Sequence, residues 1–352
     1  MVLRRLGVLD VPNERSSHDR PTLRGGGIAS AVGAVAGILL STQLTGTSRV
    51  AVLVSSCGFG LVGLAEDLVG LPVPARLVFQ AACAVAALPW LASHLSGPTL
   101  WRATFRAGVV LWLLAFANAF NFMDGIDGMS VAQAVVAGLA WCAAGQIDGV
   151  PALAAGGAVV AAAAAGFAPF NVPRPRLFLG DTGSYFLGAS LAALVVVGLR
   201  TRVPSEALIA PLAVYLVDTG FTLVRRAARG EAWYLPHRDH VYQRLVRGGW
   251  SHVRTTLVIA GFMAVCSALG AVSLLRHPVA LRAAADVALV GVVAAYLALP
   301  GWLGSRGPRF EELDGGRVPG SSSQPRVARD QRGAERLAQG RVGGVVGGEV
   351  VT

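Results

Sequence analysis

The sequence contains no lysine, so its formal charge of +10 rests on arginine alone. An ammonium is a compact point charge, whereas a guanidinium is a planar fork that matches two phosphate oxygens at once. The absence therefore points to anionic lipid heads and phosphorylated substrates as partners. Charge of either sign is also scarce: 14% of the residues are charged, against about 25% in water-soluble chains. With 54% hydrophobic residues and a mean hydropathy of +0.58, that scarcity excludes a soluble globular domain. Nucleic acid is excluded as a partner as well, because the arginines sit between apolar runs and no aromatic-basic motif accompanies them. The four cysteines, Cys57, Cys83, Cys142 and Cys266, are scattered singly through apolar segments and read as small core hydrophobes, without metal or redox spacing. No period of roughly 20–50 residues repeats, and no inverted repeat of the transporter kind is clear. The polar N-terminal arm lacks the short apolar region and cleavage site of a signal peptide.

Long apolar runs, by contrast, are plentiful. Segments able to cross about 30 Å of hydrocarbon can be drawn at 26–44, 50–66, 77–95, 105–121, 129–147, 152–170, 184–199, 206–224, 255–275 and 285–303. The expected fold is all-α, a polytopic transmembrane helix bundle of about ten spans occupying residues 1–303, in a lipid bilayer. Residues 304–352, rich in Gly, Arg and Ser, are expected to form a disordered cytoplasmic tail. The loops on one face (1–25, 67–76, 122–128, 171–183 and 225–254) hold roughly 15 arginines against roughly 7 on the other, which puts that face in the cytoplasm by the positive-inside rule. Every polar cluster in the chain falls on this same face. One site assembled from five cytoplasmic loops is the economical expectation.

The central stretch runs from Asn118 through Asn121, Asp124 and Asp127 to Met129. Polar residues recur every third position, so on a helix Asn118, Asn121 and Asp124 share a sector of roughly 120°. Gly125 and Gly128 let the backbone leave helical geometry there. Upstream, Glu66 and Asp67 end an apolar span, and adjacent acids repel, so one of the pair is expected to hold its proton more tightly or to share a cation. Arg76 opens the next span as an orienting anchor or a phosphate contact. Downstream, Asp181 stands in Gly180-Asp-Thr-Gly-Ser184, placed to cap a helix or to ligate a metal. Asp218 lies well inside a span, where an ionisable residue is functional by default, with polar packing as the alternative. His237 and His240, three apart, suit phosphate donation, acid–base work or metal ligation, and Arg244 follows them. The first loop carries Asn13, Arg15, His18 and Arg24 before Gly25, Gly26 and Gly27; glycine N–H groups at a helix start, with Arg15 and Arg24, would make an anion cradle. Carboxylates, amides, arginines and histidines without a candidate thiol or a serine–histidine pair suit phosphate handled through a hard cation, with magnesium the first choice.

These motifs in order (Asp10–Gly27, Gly63–Asp67, Asn118–Gly128, Phe178–Ser184 and His237–Leu245) resemble the polyprenyl-phosphate N-acetylhexosamine-1-phosphate transferase family over roughly residues 8–250. The resemblance implies transfer of a sugar 1-phosphate from a UDP-N-acetylhexosamine to polyprenyl phosphate, with release of UMP and a requirement for Mg2+, Mn2+ being the alternative ion. It implies that Glu66 and Asp67 deprotonate or orient the lipid phosphate, and that Asn121 and Asp181 hold the metal. Asp124 and Asp127 would lie beside the nucleotide, and His237 and His240 would form the histidine motif of the last catalytic loop. Asn13, Arg15, His18, Arg24, Arg76, Asn118 and Arg244 are the expected substrate contacts. A homodimer is left open. Three departures stand out. The acidic pair is Glu-Asp where Asp-Asp is usual, Leu23 replaces a frequent proline, and the chain begins almost on the first motif where the family has a preceding transmembrane helix, which leaves a misplaced start or a missing span. The spaced histidines resemble the branch using UDP-GlcNAc or a related acetamido sugar more than the peptidoglycan branch that takes UDP-MurNAc-pentapeptide. A secondary transporter and a non-catalytic lipid-binding protein remain as alternatives from other classes.

Overall fold

The computed structural model describes residues 9–10, 22–23, 25–93, 95–231, 237–275 and 278–303. The chain divides into two units, Met1–Gly307 and Pro308–Thr352; the second, and with it the expected tail, lies outside the described residues. The apolar runs fold as helices: α1 (Gly26–Leu40), α2 (Gly46–Val69), α3 (Val73–Leu91), α4 (Thr99–Met123), α5 (Met129–Ile147), α6 (Pro151–Asn171) and α7 (Gly180–Leu199). After these come α8 (Ser205–Ile209), joined through a 3-10 turn at Ala210–Leu212 to α9 (Ala213–Ala228), then the short α10 (Val241–Arg247), α11 (His252–Ala271) and α12 (Val279–Leu303). Two residues each from β1 (Leu9–Asp10) and β2 (Thr22–Leu23) pair antiparallel, with Leu9 opposite Leu23.

Among the described residues nine helical segments are long and apolar enough to cross a membrane, and the chain is a multi-pass membrane protein. The tenth expected span is α1, whose 15 residues rise about 22 Å at 1.5 Å each. A second difference from the expected spans lies in α7, which starts at Gly180 rather than at Ser184, so Asp181 belongs to the first helical turn and not to a loop.

The core is organised around α7. Every residue from Thr182 to Gly198 is buried, as expected of a helix that is apolar all round. Its small residues, among them Gly183, Ser184, Gly188, Ala189 and Ser190, let neighbouring backbones come close, which is how helices pack when lipid removes the hydrophobic drive. Gly188 lies directly against Ala117 and Phe120 of α4, and Ser190 hydrogen-bonds Ser56 of α2 at 2.7 Å. Because the connections are short, successive helices reverse direction. The C-terminal ends of α2, α4, α6 and α9 therefore meet the N-terminal ends of α1, α3, α5, α7 and α11 at one end of the bundle.

Candidate active site

At that end the first contact joins α2 to α7. A helix start leaves backbone N–H groups without partners and carries a partial positive charge. Here they are met from another helix: Asp67 accepts from Asp181 N at 3.0 Å, Thr182 N at 2.8 Å and Thr182 Oγ1 at 2.7 Å. Gly180 makes the approach possible. Its φ of +72° suits glycine, and a Cβ there would stand 2.9 Å from Asp67 Oδ2. Glu66 points elsewhere, accepting from Leu71 N at 2.6 Å and pairing with Arg76 at 3.3 Å. The same Arg76 guanidinium stands 3.9 Å from Asp181 Oδ2.

The three polar residues of α4 separate in the structure. Asn121 Nδ2 donates to Asp181 Oδ1 and to Ser184 Oγ, both at 2.8 Å. Asn118, one turn deeper, donates to Gln80 Oε1 at 2.7 Å and to the Leu114 carbonyl at 2.8 Å. Asp124 no longer follows their register, because the helix ends at Met123 and Asp124 is its C-cap. Burial pushes the Asp124 carboxyl up to about 7, with the nearby Ser130 hydroxyl opposing and the charges of Asp181, Asp67 and Asp127 adding to the rise. Asp127, nearly buried, is paired with His252 Nδ1 of α11 at 3.0 Å, and its carbonyl accepts from Thr256 Oγ1 at 2.8 Å.

The histidine segment closes over this loop. Tyr242 OH donates to the Phe122 carbonyl at 3.1 Å, and a Cβ at Gly125 would lie 2.0 Å from that hydroxyl, so glycine is required for the two segments to meet. The His237 and His240 rings are 4.9 Å apart, and His240 stacks on Tyr242 with centroids 5.9 Å apart. Burial, followed by the neighbouring His240 and Arg226, lowers His237 to about 4, so its ring is neutral near pH 7. Arg226, at the end of α9, pairs with Asp239 at 2.5 Å and with Glu231 at 2.8 Å. Although burial works against it, Arg226 holds the Asp239 carboxyl below the usual range. His240 itself faces Asp218, with Nδ1 3.0 Å from Oδ1.

The structure thus brings together Glu66, Asp67, Arg76, Asn121 and Asp181 in one group, and Asp124, Asp127, His237 and His240 in the segments packed beside it. Asn118 is turned to Gln80, and Arg244 is half-buried on α10. Asn13, Arg15, His18 and Arg24 lie outside the described residues. The expected anion cradle at the first glycines is corrected: Gly26 N donates to the Phe178 carbonyl at 3.0 Å and Gly27 N to the Leu179 carbonyl at 2.9 Å, so these donors hold α1 to the loop before α7. His252, Gln80, Thr182 and Tyr296 were not singled out from the sequence. Only His252 carried a signal there, as a titratable residue at the start of a span on the loop-rich face.

A hard cation suits the first group by the chemistry of its donors. Asp181 and Asn121 offer carboxylate and amide oxygens, and in the acidic cluster of Asp67, Asp124, Asp127 and Asp181 the Arg76 guanidinium stands beside Asp181. Among the described residues no three His, Cys, Asp or Glu side chains are grouped to hold a metal ion. Asp181 and Asn121 are the residues of this group that could hold a hard cation.

Residues 49–199 match the model of glycosyl transferase family 4. A Bacillus subtilis protein named "Probable undecaprenyl-phosphate N-acetylglucosaminyl 1-phosphate transferase" is 31% identical over 278 residues, covering 75% of this chain and 77% of that protein. The decaprenyl-phosphate N-acetylglucosaminephosphotransferase of Mycobacterium tuberculosis is 30% identical over 338 residues, 85% of this chain and 83% of its own length. A phospho-N-acetylmuramoyl-pentapeptide-transferase of Synechococcus is 30% identical over 223 residues, 58% of this chain and 61% of its own.

Proposed function

The chain belongs to glycosyl transferase family 4, and on that premise we propose that it moves an N-acetylhexosamine 1-phosphate, by preference N-acetylglucosamine 1-phosphate, from a UDP-linked sugar to a polyprenyl phosphate. An oxygen of the lipid phosphate attacks the phosphorus that carries the sugar. The P–O bond to the UMP phosphate breaks, UMP leaves, and a lipid diphosphate sugar forms. One observation carries this reading: Asp67, Arg76, Asn121 and Asp181, drawn from four helices, meet at the end of a membrane bundle. A lipid phosphate moving in the bilayer and a nucleotide sugar from water can both arrive there. A transporter would place its polar groups near the bilayer midplane instead.

Asp181 and Asn121 are the residues that would hold Mg2+, with Mn2+ as the alternative. When bound, such an ion supplies charge neutralisation and alignment of the phosphates. Arg76 sits beside Asp181, placed to fork a phosphate. Asp124 and Asp127 line the adjoining loop where the nucleotide would lie, and the segment that carries His237 and His240 packs on that loop through Tyr242. The wide coverage of N-acetylglucosaminyl relatives supports that sugar over the muramoyl pentapeptide. The arginine-rich loops support a cytoplasmic site in a bacterial inner membrane and a role in starting a cell-envelope polysaccharide. The test is metal removal: purified chain supplied with UDP-GlcNAc and polyprenyl phosphate releases UMP, EDTA stops the release, and added Mg2+ restores it. UMP release indifferent to EDTA would overturn the metal assignment.

A further inference from the structure

Asp218 and Tyr296 have no part in the phosphate group, and Tyr296 lies on α12, beyond the stretch the family model matches. Both side chains are fully buried, and they meet under His240. The Asp218 carboxylate accepts from Tyr296 OH at 2.5 Å, from Val241 N at 3.1 Å to Oδ2 and 3.3 Å to Oδ1, and from Thr222 Oγ1 at 3.3 Å. His240 Nδ1 completes the set at 3.0 Å. A carboxylate surrounded by these donors can only accept, so the ring nitrogen facing it must carry the proton. The same carboxylate binds the amide that follows His240, fixing ring and backbone together, while Gln243 Oε1 accepts from His240 N at 3.2 Å. On its other side the ring stacks on Tyr242.

We propose that Asp218 and Tyr296 are positioning residues that lock His240 as its Nδ1–H tautomer, leaving Nε2 as the nitrogen that takes a proton or a hydrogen bond at the substrate. Packing alone does not account for the pair. A buried carboxylate inside a membrane bundle is costly, and apolar residues of similar volume commonly serve packing as well or better. Four separate donors aimed at one carboxylate, three of them from residues outside its own helix, instead fix the direction of a single ring. Tyr296 orients the carboxylate from the last helix, so α12 contributes to the site without touching substrate. The inference rests on the reading of His240 as a group that meets the substrate.

The experiment is a double-mutant cycle on the full chain, purified and reconstituted with polyprenyl phosphate, reading UMP release against UDP-GlcNAc concentration. In Asp218→Asn the amide carbonyl still accepts from Tyr296 and Val241, but its NH2 turns Nδ1 into an acceptor and moves the ring proton to Nε2. Its kcat falls at least about 100-fold while KM stays within about threefold. Tyr296→Phe, which keeps the carboxylate and its contact with His240, lowers kcat by about three- to tenfold. In a His240→Ala background, where kcat is already low, either change costs less than about twofold further. An equal loss in both backgrounds would show that Asp218 acts elsewhere and would overturn the proposal, as would an Asp218→Asn chain with unchanged kcat. If Asp218→Asn does not fold, the Tyr296→Phe cycle decides by the same criterion. Unchanged kcat in His240→Ala alone would remove the histidine reading itself, an outcome distinct from an impaired His240→Ala on which Asp218→Asn is additive.

Discussion

Asp181→Asn lowers kcat by about a thousandfold or more, on the order of 4 kcal/mol of barrier, in a chain that still inserts and folds. The fold survives because the start of α7 is capped by Asp67, through the backbone N–H groups of Asp181 and Thr182, and those contacts do not involve the Asp181 side chain. The lost function is the negative oxygen pair between Asn121 and Arg76. An amide turned to keep the Asn121 bond presents its NH2 to the guanidinium; turned the other way, it sets two amide NH2 groups against each other. Either arrangement withdraws the hard anionic ligand that a phosphate-bound cation requires. Full activity at saturating Mg2+ would remove Asp181 from the metal site. A large fall in thermal stability would mean that the carboxylate serves the fold.

The second large effect separates the two members of the acidic pair. Asp67→Asn loses at least about a hundredfold more kcat than Glu66→Gln, and it lowers the melting temperature as well. Three donors converge on the Asp67 oxygens. An amide satisfies those facing its carbonyl and turns N–H against the rest, leaving a buried donor unpaired at about 1–3 kcal/mol, with about 0.3–1 kcal/mol more from the lost charge at a helix start. Glu66→Gln keeps an acceptor for Leu71 N and weakens one ion pair to Arg76, so activity remains measurable. The melting temperature is the discriminating readout. A carboxylate that served only as a base would leave it unchanged when neutralised, whereas a cap that also aims Asp181 lowers it. If Glu66→Gln is the more damaging change, the roles are reversed.

Hydropathy alone marked the bundle and its polar end, because an apolar stretch of spanning length has few alternatives to a helix in lipid. The residue types at each loop singled out Asp67, Asn121 and Asp181, which the structure brings into contact. What they could not show was how those side chains divide the work. Asp67 was expected near the chemistry; its capping of α7, at Asp181 114 positions away, depends on helix packing that no local pattern encodes. The every-third spacing placed Asn118, Asn121 and Asp124 on one face, yet the helix stops before Asp124 and Asn118 finds Gln80. The partners of Asp127 and Asp218, His252 and Tyr296, lie 125 and 78 positions on. Tyr296 reads in isolation as an ordinary residue of an apolar span, and His252 only as a titratable residue at the start of one.

The most direct measurement of the central claim is the identity and amount of the nucleotide set free. The purified chain is incubated with UDP-GlcNAc labelled in the sugar, Mg2+ and polyprenyl phosphate, and the organic and aqueous phases are quantified together. Transfer of the sugar 1-phosphate predicts UMP in the aqueous phase, equal in amount to a labelled lipid diphosphate sugar in the organic phase, and neither product when polyprenyl phosphate is left out. Release of UDP in place of UMP would mean that the sugar moves without its phosphate and would contradict the account.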